Sequence, residues 1–335
     1  MNVHNIIISR TDSIGDVVLT LPLAGIIKEH YPNCKLYFLG KTYTEAVIKL
    51  SKHVDEFLNW DKIQQSENPV NEFKKLRADT IIHVFPNKQI AQMAKQAQIP
   101  NRIGTLGRFF HITTCNKKVK FSRKKSDLHE AQLNTKLLQP IGVSHDFSLN
   151  GLIEHYGLIT SEPLSEELGR LVDKTKFNLI LHPKSKGSAK EWGLNNFSEL
   201  IKILPKEKFK IFVSGTKEEA DLINNQLPFE QENVVSLLGK LTLQEYISFI
   251  NETDGLIAAS TGPLHIAAAL GKVAIGLYSP KKPIHPGRWQ PLGKKASALV
   301  YDENCEKCKK GNDCDCISKI SANTIVDLLM KNNLT

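Results

Sequence analysis

Residues 255–277 read GLIAASTGPLHIAAALGKVAIGL. Leu256 to Ala259 is a short apolar run that suits a buried strand. Ser260-Thr261-Gly262-Pro263 is a tight turn, and Leu264 to Leu270 is an apolar, Ala-rich helix. Gly271 ends that helix, and Val273 to Leu277 is a second buried strand. Ser260 or Thr261 can cap the helix, and Pro263 suits its first turn, where no backbone donor is needed. Gly262 keeps side-chain bulk away from the exposed N–H groups. A helix N-terminus at the carboxyl end of a parallel strand is an anion site. A plain strand-to-helix turn is the alternative.

The same alternation runs outward in both directions. Toward the N-terminus come strands at Leu179–His182, Lys210–Val213 and Val234–Leu237. The helices between them are Asn196–Leu204, Lys217–Asn225 and Leu243–Asn251. A final helix, Ala322 to Met330, could pack back across the domains. The first half has strands at Asn5–Ser9, Lys35–Leu39, Glu56–Asn59 and Thr80–Val84. One helix is expected from Asp16 to about His30, with Pro22 tolerated in its early part. Others are expected at Thr44–Leu50, up to Leu76, at Ile90–Ala97 and at Leu128–Leu138. Residues 117–125 read as loop. Residues 142–176, rich in Gly, Ser and Pro, break the rhythm and read as an interdomain linker. The expectation is α/β: two Rossmann-like, doubly wound parallel-sheet domains, 1–160 and 161–335, facing across a ligand cleft.

Composition narrows the partners. The 335-residue chain carries a formal charge of +9. Residues 1–150 hold 21 Lys and Arg against 13 Asp and Glu, net +8, so the excess belongs to the first half. It is densest at KKVKFSRKK, 117–125. An acidic partner follows: an anionic lipid surface or a phosphorylated glycan, or else a lysine-rich solvated face. No aromatic-interleaved basic motif supports nucleic acid. No apolar run is long enough to span a bilayer, and MNVHNIIISRTD does not read as a signal peptide, so the cytoplasm is the expected location. Cys305, Cys308, Cys314 and Cys316 form C-x2-C-x5-C-x-C, which suits a structural metal or a reduced Cys-rich loop.

Four stretches bear candidate chemistry. After the first strand, Ser13-Ile14-Gly15-Asp16 puts a carboxylate in the first turn of a helix. It can accept a proton from a hydroxyl, or simply favour the helix start. The absence of G-x-G-x-x-G there argues against dinucleotide binding. The second is HPKSKGSAKEW, 182–192, in which Ser185 and Lys190 suit a diphosphate; it lacks P-loop spacing. Third, Glu218 and Glu219 after Ser214-Gly215-Thr216 suit ribose hydroxyls, or a charged helix start. Fourth, Gly239 and Leu241 could hold a base. His265 is read first as a structural histidine one turn into its helix, and His83, His111 and His129 have no assigned place. No two-His or two-carboxylate spacing indicates a catalytic metal.

In order, ISRTDSIGDVVLTLP (8–22), HPKS…KEW (182–192), SGTKEE (214–219) and STGPLHIAAALG (260–271) resemble family 9 glycosyltransferases, the heptosyltransferases of lipopolysaccharide core assembly. The Cys-rich segment before the last helix is similar to a recurrent family feature. The resemblance implies a GT-B fold, with acceptor on the first domain and nucleotide-sugar on the second. It implies metal-independent inverting transfer without a cofactor, at the cytoplasmic face of the inner membrane. Asp16 takes the general-base position. Ser185, Lys190, Ser260, Thr261, Gly262 and His265 surround the donor phosphates, and Glu218, Glu219, Gly239 and Leu241 the nucleoside. Arg10, Ser13, Lys117, Lys118 and Arg123 are the candidate contacts to an anionic, lipid-linked glycan. The donor implied is ADP-heptose. One departure stands out: the family usually has an acidic residue where this chain has Ser260, so another nucleotide-sugar is the alternative. A sugar-nucleotide epimerase and a non-catalytic glycan-binding protein on the same scaffold are the remaining readings.

Overall fold

The computed structural model describes residues 4–123, 125–159 and 162–332. The chain divides into two compact units, Met1–Ile159 and Thr160–Thr335. The expected boundary at residues 160 and 161, and Lys124 of the basic stretch, lie outside the described residues.

The first unit holds β1 (Asn5–Ser9), β2 (Lys35–Gly40), β3 (Glu56–Asn59), β4 (Thr80–His83), β5 (Asn101–Thr105) and β6 (Lys117–Val119). They form one sheet in the order β3-β2-β1-β4-β5-β6, and every pairing is parallel. Ile6, Ile7 and Ile8 are fully buried, as a central parallel strand covered on both faces requires. The second unit repeats the plan with β7 (Phe177–His182), β8 (Phe209–Val213), β9 (Val234–Ser236), β10 (Gly255–Ala259), β11 (Val273–Tyr278) and β12 (Ala296–Val300). Its order is β12-β11-β10-β7-β8-β9, again all parallel. In each sheet the winding direction reverses beside the first strand, between β1 and β4 and between β7 and β10. Ligands of open parallel sheets bind outside the carboxyl ends of the strands at such a reversal. The two units are therefore α/β, doubly wound, Rossmann-like domains.

Several local expectations are corrected. The helix expected from Asp16 to His30 is two helices, Ile14–Val18 and Pro22–His30. Pro22 has no N–H to give to Val18 and takes the first turn of a new helix instead. Asp16 accordingly sits inside a short helix that opens at Ile14. The basic stretch 117–125 is not all loop: Lys117–Val119 pairs with Ile103–Thr105 and buries Val119. The helix expected at 128–138 is helical over Glu130–Thr135 and continues as a 3-10 turn through Ile141, where Pro140 cannot donate a helical bond. Residues 142–159 are not a linker. Leu152 and Tyr156 are buried, Lys52 N–H donates to Gly157 O at 2.9 Å, and Ser51 bridges Leu158. The final helix, Ala322–Asn332, packs on Leu194–Ile203 of its own unit through Ile325 and Leu329.

The segment ending the first unit is held tightly. A Cβ at Gly25, in Pro22–His30, would stand 2.2 Å from His155 O. Gly25→Ala should therefore destabilise the first unit by about 1–3 kcal/mol through overpacking. Gly169→Ala, in Glu166–Gly169 with no neighbour within 4 Å, should be neutral to mildly stabilising. Urea unfolding of the two variants checks both.

Candidate active site

In the first unit the site is built on the loop after β1. Arg10 follows the strand, is only 3% exposed, and is surrounded by carboxylates. Its guanidinium donates to Asp12 at 2.6 Å, to Glu130 at 3.0 Å and to Asp16. Asp16 also accepts from the Ser13 hydroxyl. Glu130 is fully buried and takes a second guanidinium, that of Arg123, which also donates to Val84 O after β4 at 3.1 Å. Two arginines and three carboxylates thus bridge the loops after β1 and β4. Burial works against the Arg10 charge, but Asp12, Asp16 and Glu130 outweigh it and hold the guanidinium above its ordinary range. Burial pushes the Asp12 carboxyl up to about 6, against the pull of Arg10. The Asp16 side chain remains 17% exposed, so an anchored carboxylate still faces outward.

The residues expected to contact the acceptor differ in exposure and in internal bonds. Arg10 is too buried to meet a glycan and acts as the anchor of Asp16. Ser13 fixes the other Asp16 oxygen. Lys117 Nζ donates to Pro140 O at 3.1 Å, and Arg123 is committed to Glu130 and Val84. Lys118 and Ser13 are exposed, and of these two the Ser13 hydroxyl is bonded to Asp16. Glu130 and Asn134, which meet Arg10 across more than a hundred residues, escaped sequence reasoning because no local pattern announces so distant a pairing.

In the second unit the loops after β7 and β10 meet at the reversal point. The helix Gly262–Ala269 starts there with Thr261 at its N-cap and Pro263 in its first turn. The Thr261 side chain makes no capping bond. Its buried hydroxyl oxygen has no partner among the described residues. Helix-start N–H groups lack intrahelical acceptors and carry positive potential. The Ser188 hydroxyl donates to Ser260 O at 3.4 Å, which joins the 182–192 loop to this helix start. Lys190 and Ser260 line one pocket with Tyr278, Ser279, Lys281 and Lys282. Sequence reasoning missed these last four, since β11 lies beyond the motif and only the lysine pair hints at an anion.

The other candidates are distributed unevenly. The Ser185 hydroxyl donates within its own loop, to Ala189 O at 2.8 Å and to Glu191 at 3.2 Å. It shapes the loop. Lys190 Nζ donates to Asp313 at 2.7 Å and to Cys314 O. Glu219 closes a capping box, accepting from Thr216 N–H at 2.8 Å. Glu218 is exposed beside it, 3.7 Å from Lys186. Gly239 N–H donates to Gly215 O at 2.9 Å, bringing the Leu241 turn beside the Glu218 helix. His265 is buried in its helix. The four late cysteines converge: their sulfurs lie within 4.8 Å of one another.

His83 ends β4 at the reversal point of the first sheet, 1% exposed, with neither ring nitrogen hydrogen-bonded among the described residues. Burial, then the neighbouring His111 and Arg102, push it down to about 3. A histidine depressed in the folded state binds its proton later than the unfolded chain does. Stability therefore falls as pH drops from about 6.5 toward 3. Between pH 7 and pH 5 the wild type should lose about 2 kcal/mol that a His83→Leu variant does not lose, read by urea unfolding at both pH values.

Comparison with known proteins bears on the family and the fold. Residues 71–317 match the family described as glycosyltransferase family 9 (heptosyltransferase). A lipopolysaccharide core heptosyltransferase of Haemophilus influenzae is 23% identical over 316 residues, covering 90% of this chain and 85% of the relative. The glycosyl transferase family 9 structure from Veillonella parvula superposes with a TM-score of 0.79 at 19% identity, over 99% and 98% of the two chains. The Escherichia coli ADP-heptose lipopolysaccharide heptosyltransferase II gives 0.74 at 18% identity, over 98% of each. The fold is that of the GT-B heptosyltransferases. The chain belongs to glycosyltransferase family 9, the heptosyltransferase family, and is a glycosyltransferase.

Proposed function

We propose that this enzyme transfers heptose from ADP-heptose to a hydroxyl of a lipopolysaccharide core acceptor, with inversion and without a catalytic metal. The observation that carries the reading is Asp16: a partly exposed carboxylate, held by buried Arg10 and by Ser13, at the ligand-binding edge of the first sheet. The names of the similar proteins, a lipopolysaccharide core heptosyltransferase and an ADP-heptose enzyme, support the acceptor and donor classes.

The first unit, residues 1–160, binds the acceptor, and the second, 161–335, binds the nucleotide-sugar. The acceptor oxygen attacks the anomeric carbon from the face opposite the diphosphate. The bond between that carbon and the diphosphate oxygen breaks, ADP departs, and Asp16 takes the acceptor proton. Arg10 and Ser13 hold the carboxylate in one orientation while it works. Charge on the leaving diphosphate is met by the Gly262 helix start, the Thr261 hydroxyl and Lys190. Ser185 shapes the loop that carries Lys190. Glu218 receives the ribose hydroxyls, because Glu219 is spent on the helix cap. Ser260, which lines a pocket with Lys190, carries no negative charge. That observation favours the second reading, in which the donor is a different nucleotide-sugar.

The acceptor side suits an anionic membrane surface. Phe109 is 87% exposed, Ile112 53% and Leu106 44%, and Arg108, Lys118 and Lys120 flank them in sequence. Apolar side chains beside basic ones are the composition of an interfacial contact. The enzyme works from the cytoplasmic side, touching the inner membrane through this stretch.

Asp16→Ala should lower transfer by about 100-fold or more while leaving ADP affinity unchanged, measured by turnover and calorimetry. Undiminished transfer would remove Asp16 from the base role. In a panel of ADP, UDP, GDP and CMP with their sugars, ADP and ADP-heptose should selectively raise the melting temperature. Selective response to UDP or GDP would move the enzyme to another donor. Phe109→Asp with Ile112→Asp should reduce sedimentation with anionic vesicles while sparing turnover on a soluble acceptor; unchanged sedimentation would dismiss this face.

A further inference from the structure

An exposed aromatic ring stands beside Asp16. β2 ends at Gly40 on the same carboxyl edge as β1, and the chain then makes a 3-10 turn, Thr42–Thr44. Tyr43 is at the middle of that turn and is 49% exposed. A ring left half in water contributes little to a hydrophobic core. Its polar end is nevertheless tied down. The Tyr43 hydroxyl donates to the backbone O of Asp12, in the loop that carries Asp16. Burial, then the charges of Asp12, Asp16 and Asp61, push the ionisation of that hydroxyl up, so it stays a donor.

The turn beneath the ring is fixed as well. The Thr42 N–H and hydroxyl donate to Asp61 at 2.9 and 2.8 Å, and the Thr44 hydroxyl donates to Lys41 O at 2.8 Å. The next helix, Glu45–Ile48, packs on Ile14–Val18, the helix that holds Asp16. Gly40 makes this closeness possible, since a Cβ there would stand 2.6 Å from Ile48 Cδ1 and 2.8 Å from Thr44 Oγ1. A tyrosine held by its hydroxyl and by its backbone has little freedom left to lose when a ligand lies on its ring.

Charge bounds what that ligand is. Four carboxylates, Asp12, Asp16, Asp61 and Glu130, meet three cations, Arg10, Arg123 and Lys41, so the surroundings stay negative. A further anion beside the ring is disfavoured. A neutral pyranose fits, because its C–H faces are apolar and its rim carries hydroxyls that donate to carboxylates.

We infer that Tyr43 is a platform for the acceptor sugar: a neutral pyranose lies with one C–H face on the ring and turns a hydroxyl toward Asp16. A neutral sugar, rather than a sugar acid, is the acceptor unit this subsite takes. That the hydroxyl is the one transferred to rests on the proposed function; the affinity of the ring for a neutral sugar does not.

The test titrates the full chain at pH 8 with methyl glucopyranoside, methyl mannopyranoside and methyl glucuronoside, following the sugar C–H proton resonances. Protons over the face of an aromatic ring move upfield. At least one neutral glycoside should show that shift with the wild type, and the glucuronoside should show less. Tyr43→Leu should abolish the shift and Tyr43→Phe should keep it. In turnover with ADP-heptose and a deacylated lipopolysaccharide core oligosaccharide, Tyr43→Leu should raise the acceptor KM about tenfold, more than it lowers kcat, with the ADP Kd unmoved. Tyr43→Phe should raise that KM only about twofold. Phenylalanine loses the bond to Asp12 O yet keeps the ring, so equal losses in the two variants would make Tyr43 an anchor of the Asp12 loop and overturn the platform. No upfield shift with either neutral glycoside would overturn it too, and a larger shift with the glucuronoside would overturn the neutral class. If the wild type transfers nothing from ADP-heptose, the proposed donor falls, while the titration still decides the platform.

Discussion

Each sheet reverses its winding beside its first strand, and everything functional hangs on that. At a reversal, two neighbouring parallel strands send their following loops to opposite sides, so the carboxyl edge opens between them. In the first unit the loops after β1 and β4 are bridged there by Arg10, Glu130 and Arg123. In the second, the loops after β7 and β10 meet through Ser188 and Ser260. The strands supply rigidity because Ile6 to Ile8 and Leu256 to Ala258 are buried on both faces. The loops are then free to carry polar groups that no core could accept.

The two units use that opening differently. The first concentrates charge. Arg10 is desolvated, and its ionisation is bearable only because three carboxylates surround it. Asp16 is the one of these acids that belongs to a helix start and keeps part of its surface outside. The second unit concentrates donors: helix N–H groups, a buried threonine hydroxyl and lysines, with Glu191 and Glu219 turned to structural bonds. A carboxylate-rich edge suits proton abstraction, and a donor-rich edge suits a diphosphate.

Much of this was legible in the chain. Alternating apolar runs and helical stripes located most strands of both sheets, because fully buried parallel strands must be continuously apolar. Asp16, Lys190 and the Thr261-Gly262-Pro263 turn stood out because each follows a strand and opens a helix or loop. Edge strands were harder. Lys117–Val119 is short, basic and half exposed, so it carried no apolar run to find. Pro22 signalled a helix irregularity, yet only the folded chain made it a complete break.

The sequence by itself determined the α/β architecture, the family, and the residue types at the loops, because periodicity and local turn chemistry are properties of neighbouring residues. Only the tertiary structure decided which of those residues were free to act. Arg10 became an anchor because Glu130 and Asn134 arrive from 120 and 124 residues away. Ser185 and Glu219 were claimed by their own loop and helix cap. Lys190 was claimed by Asp313 and Cys314, 123 and 124 residues on. Hydrogen bonds have short range and saturable partners, so a polar side chain's role depends on what the fold brings within about 3 Å of it, and no local pattern contains that.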